Sequence, residues 1–222
     1  MERLLEVCAG NMGSVEAAVQ GGAERIELCA ALALDGLTPS MGMLQQVRER
    51  FPKLTIHVLV RPREGNFVYS DAELAVMERD MAALMPWADG FVAGVLTAAG
   101  DIDVPATRRL LMAAQGKPFT FHRAFDVCRH PEMALEQLID LGCQRVLTSG
   151  QQSTAEQGLD LLRALCTQAR RRIIVMPGGG VNASNARHIL DHLDTNEIHA
   201  SASAGTGVTQ IDEVRKIVQS LR

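Results

Sequence analysis

Eight short runs of β-branched and aliphatic residues alternate along this chain with eight longer segments of helical periodicity, an order that few folds accommodate. The strand candidates are RLLEVC (3–8), RIELC (25–29), LTIHVLV (54–60), GFVAGV (90–95), PFTFHR (118–123), QRVLTS (144–149), RIIVMP (172–177) and NEIHAS (196–201). Helical patterns fill the intervals, around 13–21, 40–51, 71–85, 103–115, 131–141, 154–170, 182–193 and 210–221. Ser40 and Ser70 stand where helix caps belong, and Pro131 opens a first turn. No Pro/Gly-rich linker or charge run interrupts the series. The pattern predicts one α/β domain over residues 1–222, a single (β/α)₈ TIM barrel, slightly shorter than is usual for that fold. A doubly wound sheet fits less well, because AGNMGS follows the first strand where GxGxxG would mark a dinucleotide site. No nucleotide cofactor is expected.

Strand side chains alternate between faces, so Glu6 and Cys8 share one face while Leu5 and Val7 share the other. The same rule sets Glu27 and Cys29 against Ile26 and Leu28. The apolar sets must meet the surrounding helices, which turns the acids and thiols inward. Applied further along, the rule sends Thr55, His57, Leu59 and Arg61 into the barrel, then Thr120 and His122, then Glu197, His199 and Ser201. Barrel interiors are filled mainly by Val, Ile and Leu. This one collects ionisable groups, and unpaired buried charges are costly, so Glu6 and Glu27 are expected to face Arg61, a histidine, or both. Such a set reads either as an ion network at the barrel floor or as a catalytic site in which Glu6, Glu27, His57, Arg61, His122 and His199 take part.

The C-terminal strand ends, where barrels of this kind carry their chemistry, are rich in small and polar residues. PGGGVNASN (177–185) and SASAGTG (201–207) follow strands 7 and 8, where many barrels hold a phosphate. Gly178, Gly179, Gly180 and Ser201, with Arg123 nearby, are the anion-binding candidates. Asp126 and Arg123 read as an acid–base pair at the rim or, in the favoured reading, as a salt bridge that fixes their loop.

Several function classes fall away on composition. A net charge of −4 and 4% aromatic residues leave no footprint for nucleic acid. No stretch approaches ~20 apolar residues, so no membrane span is expected. The N-terminal MERLLEVC lacks the apolar core of a signal peptide. Five scattered cysteines without a CxxC pair suggest reduced thiols in a cytoplasmic protein. The apolar face of LDLLRALC either covers the barrel or supports a homodimer.

The segments EVC, RIELC, GLTPS, RPR, FVYSD, GVL, FTFHRAFD, RVLTSG and VMPGGG occur in an order and spacing that closely resembles the CutC family, linked by name to copper homeostasis. The resemblance runs from residue 4 to about 201. It implies a cytosolic TIM-barrel protein that binds Cu(I) through two cysteines, which by motif match fall on Cys8 and Cys29. Two inward thiols on adjacent strands suit a soft ion, and on this reading they are accessible and low in pKa. The chain departs from the family in RPREGNF and LDGLTPS, and a segment common after the eighth strand is missing. Two functions therefore stand: copper handling at Cys8 and Cys29, or an enzyme using the mouth's acids and bases on a small anionic substrate, phosphorylated ones included.

Overall fold

A computed structural model describes residues 3–222. The eight expected pairs are all there: β1 Leu4–Ala9 and α1 Met12–Gly21, β2 Arg25–Leu28 and α2 Met41–Arg50, β3 Thr55–Leu59 and α3 Asp71–Leu84, and β4 Gly90–Ala93 and α4 Val104–Ala113. They continue with β5 Phe119–Phe121 and α5 Pro131–Leu141, β6 Arg145–Thr148 and α6 Leu159–Ala169, β7 Ile174–Pro177 and α7 Ala186–Asp191, and β8 Glu197–Ala200 and α8 Ile211–Leu221. The strands form one parallel sheet in the order β7-β6-β5-β4-β3-β2-β1-β8. A parallel bridge between Gly178 and His199 draws its two ends together into a TIM barrel.

The outward residues build the core. Leu5, Val7, Ile26, Leu28, Ile56 and Val58 are buried against helix residues such as Leu44, Val47 and Met81. Burying each large side chain of this kind contributes about 1.5–3 kcal/mol. Inside the barrel, Cys8, Cys29, Leu59 and Val92 form a second, small apolar cluster.

Caps explain several helix starts. The Asn11 side chain accepts from the Ser14 amide, Ser40 from Met43, and Ser70 with Glu73 completes a reciprocal capping box at α3. Two helices are shorter than the periodicity suggests. Residues 151–158 form turns before α6 because Gly158 packs on Ser149 and Gly150 so closely that a Cβ would meet the Ser149 carbonyl at 1.9 Å. Before α7, the Asn182 amide donates to Asn185 Oδ1 and the Ser184 amide to Asn182 Oδ1, so side chains hold a loop where the helix was expected.

Candidate functional site in the barrel mouth

Arg25, Arg145 and Glu197 each begin a strand, so they sit together at the N-terminal end of the barrel. Arg25 donates to Glu6 Oε2 at 2.5 Å and also pairs with Glu197, which accepts from Arg145 Nε at 2.6 Å. Glu6 accepts on its other oxygen from His199 Nδ1 at 2.8 Å, and His57 Nδ1 stands 3.4 Å from Oε2, beyond a good hydrogen bond. Complete burial alone would raise the Glu6 pKa. Arg25, His199 and His57 overcome it and hold the carboxyl well below its usual range. The same geometry works on His199 in the opposite sense: burial would lower its pKa, and Glu6 and Glu27 hold it above the ordinary value.

Glu27 is placed differently. Its Oε2 is buried without a hydrogen-bond partner and lies 3.8 Å from His199 Nδ1. Desolvation, helped by the charge on Glu6, pushes its pKa up to about 7 against the pull of His199. Two acids two strand positions from their thiols thus rest in opposite states, one saturated and ionised, the other unpartnered and poised near neutrality.

A cavity of ≈ 660 Å³ opens above this pair at the C-terminal strand ends, reached by Glu27, His199, Cys8, Arg61, His122 and Arg123. Most inward positions are therefore where alternation puts them, but several expected partnerships are not. Arg61 does not pair with Glu6; it lies two residues beyond β3 and donates to the carbonyls of Leu34, Gly36 and Gly65. Arg25 takes its place, a residue of the same strand parity as Glu27 that alternation alone would have turned inward. His122 is no acid–base group near neutrality: burial, then the charge on Arg61, lowers its pKa to about 3. Arg123 donates to Asp126 Oδ2 at 2.7 Å, the bridge the sequence suggests.

The anion candidates separate as well. Gly178 spends its N–H on the Thr148 carbonyl and closes the barrel, while Gly179 and Gly180 reach the cavity rim in left-handed conformations, φ 98° and 69°. The helix start expected behind them does not help, because α7 begins only at Ala186 and is under two turns long. Ser201 is exposed at the rim.

Cys8 Sγ and Cys29 Sγ are 3.6 Å apart, as adjacent inward thiols should be, and both are buried. Neither is the accessible thiol that the copper reading expects, and Cys8 is not an acidic one. The hydrogen bond to Cys29, then burial and the charge on Glu27, push the Cys8 pKa well above its ordinary value. Cys128, Cys143 and Cys166 are buried too, with pKa values raised to about 11, 12 and 12 by desolvation, as packed thiols are. Among the described residues, Glu6, Glu27 and His199 form one group whose atoms lie within 4.8 Å of one another. No helix of the described residues is long and apolar enough to cross a membrane.

Known proteins share this chain's sequence pattern and fold. A CutC family protein of Bacteroides thetaiotaomicron is 50% identical over 198 residues, covering 89% of this chain and 80% of its own length. A human protein called copper homeostasis protein cutC homolog is 46% identical over 200 residues, covering 90% and 73%. The crystal structure of the CutC protein of Streptococcus agalactiae superposes with a TM-score of 0.86 at 35% identity, covering 90% of this chain and 98% of that one. A thiamine phosphate pyrophosphorylase from Pyrococcus furiosus, 17% identical with a TM-score of 0.65, shares the fold alone. The CutC family model matches residues 3–204, and the chain belongs to the CutC family.

Proposed function

We propose that this barrel is an enzyme that moves a proton on a small anionic substrate held in the cavity at its mouth, with Glu27 as the acid–base group. The observation that carries this reading is the state of Glu27: a buried carboxyl with an unpartnered oxygen, lining a cavity, with a pKa of about 7. A carboxylate kept for stability alone would be saturated, as Glu6 is. One poised near neutrality both accepts and returns a proton at working pH. His199 stands beside it, oriented by its hydrogen bond to Glu6, and relays or balances the proton that Glu27 carries. Glu6 and His57 act as positioning residues, since neither reaches the cavity.

The first test is a ¹³C NMR titration of the Glu27 carboxyl, followed by a screen of anionic metabolites for turnover. The expected result is titration near 7 and an activity that falls 10²-fold or more in Glu27→Gln, the usual contribution of a general acid–base. Titration near 4.5 in the folded protein, or turnover untouched by the substitution, overturns the reading.

The contact between Cys8 and Cys29 supports a second reading, Cu(I) held between two thiolates, to which the copper homeostasis name of the human relative lends weight. Binding would have to displace the proton of the Cys8 thiol, which resists losing it, so affinity should rise with pH. An anaerobic Cu(I) titration against a chromophoric chelator decides it: one tight equivalent lost in Cys8→Ser/Cys29→Ser supports the site, and binding unchanged by the double substitution removes it. Five free cysteines suit a reducing, cytoplasmic setting for either activity.

A further inference from the structure

Arg61 is 3% exposed and carries a full charge, yet among the described residues no carboxylate pairs with it. Nη1 donates to the Leu34 and Gly36 carbonyls at 2.8 and 3.1 Å, and Nη2 to the Gly65 carbonyl at 3.0 Å. Three of the five N–H donors of a guanidinium are thereby spent. Nε is buried without an acceptor. Three carbonyl dipoles fix the group in place but do not neutralise it, and a buried charge left uncompensated costs several kcal/mol.

His122 adds a second donor of the same kind. Its Nδ1 accepts from the Ala124 amide at 3.2 Å, which puts the proton of the neutral ring on Nε2, and Nε2 is buried with no partner. Both side chains flank Phe67: the guanidinium carbon lies 5.1 Å from the phenyl centroid, and the imidazole centroid 5.0 Å. The Tyr69 hydroxyl lies close enough to Arg61 to feel its charge and to offer it a neutral acceptor, but burial raises the phenol's pKa and it contributes no compensating charge. Orphaned donors with a lone cation on a cavity wall lack one thing, an acceptor carrying negative charge.

The rest of the mouth sets how much charge. Asp126 already occupies Arg123, and it also accepts from the amides of Ser149 and Gln151 and the hydroxyls of Thr148 and Ser149. The Ala183 amide, in the loop after β7, is taken by Glu213. Arg123 and the amides of Ser149 and Ala183 thus already hold the protein's own carboxylates, which leaves the Gly179 and Gly180 amides at the rim without a free cation beside them, and the unspent positive charge on the cavity wall is that of Arg61.

We propose that the ends of β3 and β5 form a carboxylate-binding pole, in which Arg61 and His122 hold the single negative charge of a small organic acid and leave its reacting group toward Glu27 and His199. The orientation in this proposal rests on the acid–base reading above; the pole itself does not. One unpaired guanidinium with two orphaned donors matches the single charge of a monocarboxylate better than the double charge of a phosphate ester.

The test uses pyruvate as the probe and inorganic phosphate as the competitor, on the full chain. Calorimetry should give saturable pyruvate binding that an equal concentration of phosphate does not displace. In ¹⁵N spectra the Arg61 Nε–H resonance should move with the same saturation curve. Arg61→Lys keeps the charge but loses the planar fork and should weaken binding at least tenfold; His122→Asn, away from the carbonyl cradle, should weaken it as well. Pyruvate that leaves the Arg61 resonance unmoved, or binds Arg61→Lys as well as the native chain, overturns the pole. Phosphate that binds more tightly than pyruvate and moves the same resonance overturns the carboxylate class. The acid–base reading fails on a different measurement, the titration of Glu27, so the two are separable.

Discussion

Glu6 and Glu27 look interchangeable in the sequence, each two positions before a cysteine on an inward strand face, yet their surroundings make them opposites. Glu6 has an arginine and a histidine on its two oxygens, and Glu27 has a histidine at 3.8 Å and an unpartnered oxygen. The difference has a thermodynamic signature. A carboxyl whose pKa rises from 4.5 unfolded to about 7 folded binds more protons in the native state between those values, so its contribution to stability falls as pH rises through that window. Glu27→Gln removes this penalty. The substitution should be close to neutral near the lower end of the window and stabilising above about pH 7, by up to roughly 3 kcal/mol, since each pKa unit is worth about 1.4 kcal/mol. Urea unfolding of both proteins across the window checks it. A stabilisation that does not grow with pH would mean that Glu27 is ionised at rest and that its unpartnered oxygen finds water.

At the scale of the element, β4 and the loop after it show how a strand makes room for its neighbours' chemistry. A Cβ on Gly90 would stand 2.6 Å from His57 Cδ2 and 2.9 Å from the Pro118 carbonyl, and one on Gly94 would stand 2.6 Å from His122 Nδ1. Neither glycine has a positive φ, so the requirement is space and not backbone conformation. Gly90→Ala should cost about 1–3 kcal/mol, as overpacking in a tight core does, and displace His57 from Glu6. A thermal unfolding scan and the His57 ring resonances report the two effects, and a variant as stable as the native chain would show that the ring simply swings away. Spacing of this kind is invisible in one sequence, where GFVAGV reads only as an apolar run. What is legible is whatever period two controls: that Glu6, Glu27, His57, His122 and His199 point inward follows from alternation, and the same rule turns Arg25 inward at the first position of its strand. What alternation cannot supply is depth along the barrel axis. Arg61 and Glu6 share a facing direction but lie at opposite ends, so the sequence pairs them and the fold does not. The shortened α6 and α7 were hidden for a related reason, since Gly158 and the asparagines at 182 and 185 act through contacts that helical periodicity ignores.

Taken whole, the barrel is electrically polarised along its axis. The N-terminal end is closed by Arg25, Arg145, Glu6 and Glu197, four charges that balance one another; the C-terminal end opens on Glu27, His199, Arg61 and His122, where pairing is incomplete. Stability and chemistry are thereby assigned to opposite ends of one interior, with Glu6 as the joint between them. If the lower layer is structural, removing its central cation should be felt as lost stability with a definite pH dependence. Arg25→Met leaves Glu6 and Glu197 without their shared partner, and breaking a buried pair from one side costs about 3–5 kcal/mol. Because Arg25 and the histidines hold the folded Glu6 below its ordinary 4.5, that contribution is fully present above 4.5 and is lost as pH falls through the lowered value. The gap in unfolding free energy between native and Arg25→Met should therefore be widest near neutrality and should narrow as pH drops below 4.5, as both proteins come to carry a protonated Glu6. A gap that stays constant into acid would mean that Arg25 stabilises the barrel through the packing of its stem, and that the charges at this end contribute no net stability.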